Sequence, residues 1–269
     1  MRELTMLGTG SAMVTNCFNT CFVIQMDDGE CFLTDAGGGN TILRQLELAG
    51  VDYKRLHHMF VTHGHTDHVL GVIWVMRKIA SLINQGKYEG LFHIYCHDVV
   101  KEMLEVMAGL TLKKKDLDQL GKGILIHEIK DGEQVELLGM KLTAFDILST
   151  KAKQFGYALE FPDGLRLCCL GDEPYNERAE KYARGVDWLL SEAFCQYKDR
   201  ERFKPYEKNH STVKEAGEIA EKLKVRNLIL YHTEDKDMEH RKANYRAEAE
   251  EYFKSGNVFV PDDLEVIAL

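Results

Sequence analysis

Phe60-Val61-Thr62-His63-Gly64-His65-Thr66-Asp67-His68-Val69-Leu70-Gly71 is the stretch on which the reading of this chain turns. Three histidines and a carboxylate fall within the six positions from His63 to His68. An apolar run, His57 to Thr62, leads in, and a segment with helical spacing leads out. Four such side chains make poor core, because each carries polar atoms that burial must satisfy. Neutral imidazoles beside a carboxylate suit zinc or another borderline divalent metal. Where the chain leaves a strand for a helix, Asp67 and His68 can point away from His63 and His65, which favours two neighbouring metal positions. The competing reading, a polar turn with solvated histidines, does not account for the spacing.

Outward from this segment, short apolar runs alternate with helix-period stretches to both ends, without low-complexity sequence or solenoid-length repeats. That pattern predicts one α/β domain over residues 1–269 with no linker. Strands are expected at Glu3 to Leu7, Cys21 to Met26, Cys31 to Asp35, His57 to Thr62, Phe92 to Cys96, Lys141 to Ile147, Tyr157 to Phe161, Leu165 to Leu170, Trp188 to Ser191 and Asn227 to Tyr231. Helices are expected at Asn40 to Ala49, Val69 to Asn84, Val99 to Met107, Thr212 to Lys224 and Arg241 to Lys254, with Ser211 as the cap of the fourth. Leu110 to Lys122 reads as a charged surface excursion. Two strands deliver further candidates at their carboxyl ends, where open α/β sheets place their sites: Leu165 to Leu170 runs into Gly171-Asp172, and Val225 to Tyr231 into His232. Each would be an ordinary turn or strand-end residue by itself, and gains weight from the histidine segment.

Composition narrows the function. The chain has 269 residues, 45% hydrophobic and 29% charged, the balance of a globular protein. Its 34 basic and 43 acidic residues leave a formal charge of −9, which disfavours a large polyanionic partner unless positive charge is concentrated locally. No apolar run approaches membrane-spanning length, and the N-terminus reads as a strand and glycine turn rather than an export signal. The 7 cysteines are odd in number and contain no C-x-x-C pair, so a reduced, cytoplasmic setting is expected.

The sequence resembles the metallo-β-lactamase-fold hydrolases, in the branch of ribonuclease Z and the cyclic-phosphate phosphodiesterase of phosphonate breakdown. The likeness runs through Leu7-Gly8-Thr9-Gly10-Ser11-Ala12, Leu33-Thr34-Asp35-Ala36-Gly37, the histidine segment, Phe155-Gly156-Tyr157, Leu170-Gly171-Asp172, Val186 to Ala193, Asn209-His210-Ser211-Thr212 and Leu228 to His232. It implies an αββα sandwich with a two-metal site at one edge. By this resemblance His63 and His65 hold a first metal, Asp67, His68 and His232 a second, and Asp172 bridges. His210 faces the phosphate as proton donor or electrostatic stabiliser, Asp67 counts among the catalytic residues, and Asp35 steadies the histidine turn from behind. The family supplies one more histidine to the first metal at the position held here by Thr150, and no His lies between His127 and His210. A weakened first site follows, with zinc, or manganese or iron as more oxygen-tolerant ions.

The resulting expectation is metal-assisted hydrolysis of a small phosphodiester. Structured RNA is disfavoured by the charge and by the lack of an inserted basic, glycine-rich arm; Phe155 to Asp172 reads as a compact hairpin turning at Phe161-Pro162-Asp163-Gly164. The alternatives are acyl hydrolysis of the lactonase, thioesterase or lactamase kind, and a metal-binding or sensing protein whose chemistry has decayed. His57, His58, His93, His97, His127 and His240 are read as packed or solvated, and Lys113 to Lys115 as a solvated helix face. Val72, Ile73, Val75, Met76 and Ile79 read as core, with part of that helix face open to a homodimer.

Overall fold

A computed structural model describes residues 2–269. The chain divides into two compact units. The first comprises the N-terminal segment through Gly8, Phe18–Lys130 and Asp263–Leu269; the second comprises Thr9–Cys17 and Asp131–Asp262.

The first unit is built on strands β1 (Glu3–Gly8), β2 (Cys21–Gln25), β3 (Cys31–Thr34), β4 (Leu56–Phe60), β5 (Phe92–Cys96) and β6 (Ile124–Glu128), with β14 (Val266–Ala268) closing the sheet in the order β14-β1-β2-β3-β4-β5-β6. The pairs from β14 to β3 are antiparallel, and those from β3 to β6 are parallel. Parallel neighbours need crossovers, supplied by α1 (Thr41–Leu48), α2 (Thr66–Asn84) and α3 (Asp98–Thr111) followed by the single turn α4 (Lys114–Leu117). Their apolar faces, with Ile42, Leu46, Val72, Val75, Met76, Ile79, Val100 and Leu104, pack on Leu33, Met59, Ile94 and Cys96 of the sheet.

In the second unit, β7 (Gln134–Leu137), β8 (Met140–Asp146), β9 (Phe155–Glu160), β10 (Arg166–Cys169), β11 (Trp188–Glu192), β12 (Asn227–Tyr231) and β13 (Asn257–Phe259) lie in the order β13-β12-β11-β10-β9-β8-β7. Here too three antiparallel joins, β7 to β10, are followed by three parallel ones, β10 to β13. The crossovers carry the short α5 (Glu180–Ala183) and α6 (Arg200–Phe203), then α7 (Val213–Leu223) and α8 (Met238–Tyr252). Val213, Ala216, Ala220, Tyr245 and Ala249 of the last two join Cys168, Leu189, Leu228 and Leu230 in one apolar cluster.

All ten expected strands and all five expected helices are present, within a few residues of their expected bounds. The expected α/β class holds: strands alternate with crossover helices in both units. The β9–β10 hairpin turns as expected, Gly164 donating to the Phe161 carbonyl at 2.9 Å with φ +84°. Two details differ. α2 begins at Thr66 rather than Val69, because its first turn carries the polar Asp67 and His68 and so shows no apolar period. α7 is capped at Thr212 rather than Ser211: the Glu215 carboxylate accepts the Thr212 N–H at 2.7 Å, closing a capping box. Among the described residues, no helix is long and apolar enough to cross a membrane.

Candidate active site

In the first unit the donors sit where β3 and β4 end. Asp35 follows β3 with φ +54°, a left-handed conformation in which Asp is among the few tolerated side chains. Its Oδ1 accepts the Thr62 N–H at 2.8 Å, and its Oδ2 accepts the Thr62 hydroxyl at 2.7 Å and His68 Nδ1–H at 2.8 Å. Because the Thr62 hydroxyl spends its hydrogen on Asp35, its oxygen accepts from His63 Nδ1, 2.9 Å away. The lone pair of His63 therefore lies on Nε2, and that of His68 on its own Nε2. His63 Nε2 approaches His65 Nδ1 at 2.9 Å, and His68 Nε2 lies 3.3 Å from Asp67 Oδ2. The side chains thus form a His63–His65 pair and an Asp67–His68 pair, although the His68 ring packs 4.2 Å from that of His63 instead of turning wholly away.

Helix α2 reaches this turn through a glycine. A Cβ at Gly71 would stand 1.8 Å from the Ala36 carbonyl oxygen, and the Gly71 N–H donates to Gly37 O at 2.8 Å. Asp67 lies in the first turn of α2, where the unpaired N–H groups favour an anion. Burial opposes a charge on His68, but the Asp67 and Asp35 carboxylates outweigh it and hold the imidazole well above its usual range. The field at this turn attracts positive charge, either a proton on His68 Nε2 or a cation in its place, and His63 offers its Nε2 lone pair beside it. The donor set therefore fits a divalent cation.

In the second unit the donors follow β10, β11 and β12. Asp172 leaves β10 after Gly171 and is buried; its Oδ1 accepts Gln154 Nε2–H, and its Oδ2 stands 3.6 Å from His232 Nε2. His232 ends β12 buried, with φ +57°. Histidine is among the few side chains that adopt this left-handed region readily. Glu192, the last residue of β11, is fully buried. It accepts the Ser211 N–H through Oε1, and its Oε2 lies 3.6 Å from His210 Nδ1. Phe194 stacks on the His210 ring at 5.1 Å, and Phe194 N–H bonds Ser211 O at 3.0 Å, which docks the His210-Ser211-Thr212 segment on the end of β11. Donor atoms of Glu192, His210 and His232 all lie within 4.8 Å of one another. His210 lines a cavity of about 200 Å³ with Tyr175, Ser191, Tyr206 and Ile219.

The expected donors thus gather within each unit: His63, His65, Asp67 and His68 in the first; Asp172, His210 and His232 in the second. Thr150 is exposed, its hydroxyl 3.5 Å from Asn209 Nδ2. Glu192 falls inside the motif Val186 to Ala193 without a role assigned by it, and Gln154 falls in no motif. An acidic residue closing an apolar strand was the available signal for the first; nothing local marks the second. The remaining histidines hold structural contacts: His57 with Glu30, His93 with His127, His240 with Asp237, and His97 buried beside Asp98.

A model of the family "Anti-Pycsar protein Apyc1" matches residues 2–259. The chain belongs to this family. It is also similar to the ribonuclease Z of Archaeoglobus fulgidus, 25% identical with 86% of each chain covered. Among solved structures, the metallo-beta-lactamase fold protein YhfI from Bacillus subtilis superposes with a TM-score of 0.79 at 19% identity, covering 99% of this chain and 98% of that one. A diphosphatase of the PhnP family gives 0.73 at 20% identity, covering 99% and 97%. The fold is the metallo-β-lactamase fold, and the curated relatives that this chain resembles are ribonuclease Z proteins.

Proposed function

We propose that this hydrolase cleaves small, nucleotide-like phosphodiesters, using divalent ions held by His63, His65, Asp67, His68, Asp172 and His232 and a proton held by His210. The observation that carries this reading is the His210 imidazole, stacked on Phe194 with its Nδ1 3.6 Å from Oε2 of the buried Glu192, and set in the wall of a cavity of about 200 Å³. An imidazole oriented in this way leaves Nε2 to give a proton to a departing alkoxide or to neutralise charge building on phosphate oxygens. When bound, divalent ions would lower the pKa of their water to about 7 and polarise the phosphoryl group. The chain supplies the rest: Asp35 fixes the histidine tautomers, Gln154 and His232 orient Asp172, and Phe194 holds the His210 ring in one plane.

Several features support a small substrate and a phosphate. The relatives are by name ribonucleases, whose work is on phosphodiester bonds. The β9–β10 hairpin carries no inserted arm, and the formal charge of −9 repels a long polyanion. Zinc suits the nitrogen-rich donors, with manganese or iron as the oxygen-tolerant alternatives. A reducing, cytoplasmic setting belongs to the same proposal, since no disulfide joins any of the cysteines among the described residues. So does a homodimer; Val72, Val75, Met76 and Ile79 of α2 are buried as core, which leaves the groove beside Leu70, Ile73 and Trp74 as the open part of that helix.

The test is hydrolysis of an aryl phosphodiester by metal-loaded protein. Turnover that is lost in His210→Ala and Asp172→Ala is expected. Turnover of thioesters or lactams in its place would establish acyl chemistry, and no turnover of either class with metal bound would establish a binding protein.

A further inference from the structure

We propose that His93 and His127 form a metal site separate from the His63 to His68 turn, holding between them a borderline divalent cation of the Cu²⁺ kind. The pair stands on the face of the first sheet away from its helices. His58 and His93 are register partners on β4 and β5, while the residues after them, Met59 and Ile94, are partners that join the core under the helices. His127 follows on β6, in register with Tyr95. His93 Nδ1 and His127 Nε2 are 2.8 Å apart, and the two rings are inclined by only 21° with their centroids 5.1 Å apart. Both residues are half-buried, so water and ions reach them.

Two nitrogens about 2.0 Å from one ion and at right angles about it lie about 2.8 Å from each other. The pair already has that spacing. Imidazoles in a square arrangement completed by water suit Cu²⁺, whereas tetrahedral Zn²⁺ would need the nitrogens about 3.3 Å apart and so a wider parting of the rings. In the hydrogen-bonded pair one ring donates its N–H to the lone pair of the other. A cation takes the place of that hydrogen: the donor ring carries its proton on its other nitrogen instead, and each ring swings outward to turn a lone pair to the ion. No net proton is released. Burial, then the charges of His127 and His57, lowers His93, and burial, then Lys101, lowers His127, so both rings stay neutral at pH 7. Lys101 is itself paired with Glu128 at 3.9 Å. His58 stacks on His93 at 5.1 Å but turns Nδ1 to the Tyr95 hydroxyl at 3.1 Å, so it packs the pair without joining it.

Titration of the chelator-stripped full chain with Cu²⁺, followed by calorimetry and electron paramagnetic resonance, counts the ions and reports their nitrogen ligands. Against wild type, His93→Gln and His127→Gln are each expected to lose one equivalent of copper or to bind it at least about tenfold more weakly, since removal of an outer partner alone costs 10- to 100-fold. His58→Gln is expected to keep that equivalent. Aryl phosphodiester turnover of the zinc-loaded protein should be the same in all three variants and in wild type, which separates this site from the hydrolytic one. β6 is the edge strand of its sheet, so His127→Gln carries the test if His93→Gln does not fold. Copper bound in equal number and with equal affinity by folded His127→Gln would overturn the inference, as would loss of the ion in His58→Gln alone. A wild type without turnover, whose copper equivalent is still lost in His127→Gln, would leave the inference standing and remove the hydrolase reading.

Discussion

Asp35 joins three hydrogen bonds around one carboxylate, and its influence reaches His68 directly and His63 through the Thr62 hydroxyl. Asp35→Asn keeps the left-handed backbone, which Asn tolerates, but sets an amide N–H against the donors of Thr62 and His68. Loss of metal affinity of about 10- to 100-fold is expected with the fold retained, read by titration calorimetry and circular dichroism; unchanged affinity would show that the tautomers are fixed elsewhere. His210 is the residue to which the proposed function gives the proton. In His210→Ala the turnover of an aryl phosphodiester should fall by about 10² to 10⁴-fold while metal content stays the same. A parallel loss of metal would reassign His210 as a ligand together with Glu192 and His232, whose donor atoms lie within 4.8 Å of its own.

At the level of elements, α2 is held against the end of β3 by the absence of a side chain at Gly71. Gly71→Ala must push the helix off the Ala36 carbonyl, costing about 1–3 kcal/mol and moving Asp67 and His68 with it; both the melting temperature and metal affinity should drop. A second element-scale feature is the ladder of rings across β4, β5 and β6. His58 stacks on His93 at 5.1 Å, and His93 on His127 at 5.1 Å, with Tyr95 OH 3.1 Å from His58 Nδ1. Burial first, then the neighbouring imidazoles of His93, His57 and His127, depress His58 to about 4, against the pull of Glu30. His93 and His127 are lowered in the same sense. The folded protein therefore refuses protons that the unfolded chain accepts near pH 6.5. This contribution to stability is complete above that pH and declines as pH falls from 6.5 towards 4. Melting temperatures over that window should fall less steeply for His58→Gln than for wild type, and identical slopes would contradict the assignment. The strands of this ladder were only partly legible: β4 and β5 are apolar and bounded by turns, whereas β6 lies at the sheet edge with His127 and Glu128 in its short run.

Across the whole chain, both units repeat one plan, three antiparallel joins followed by three parallel ones, with the donors at the carboxyl ends of parallel strands. That plan was readable because apolar strands ending in His63, Asp172 and His232 leave a pattern in the sequence itself. Glu192 was half-readable, since its strand was found but its partner His210 is eighteen positions away and is brought close only by the docking of Ser211 on β11. Gln154 was unreadable: its meaning depends on the vacant Cβ position of Gly171, which no spacing rule encodes. The central claim is that the chain's own histidines and carboxylates bind divalent ions and direct them at a phosphodiester. It is tested most directly by adding metal back to chelator-stripped protein while following aryl phosphodiester cleavage. Activity absent in the stripped protein, restored by zinc, manganese or iron, and not restored in His68→Ala is the predicted result; stripped protein that cleaves as fast as the loaded form would contradict it.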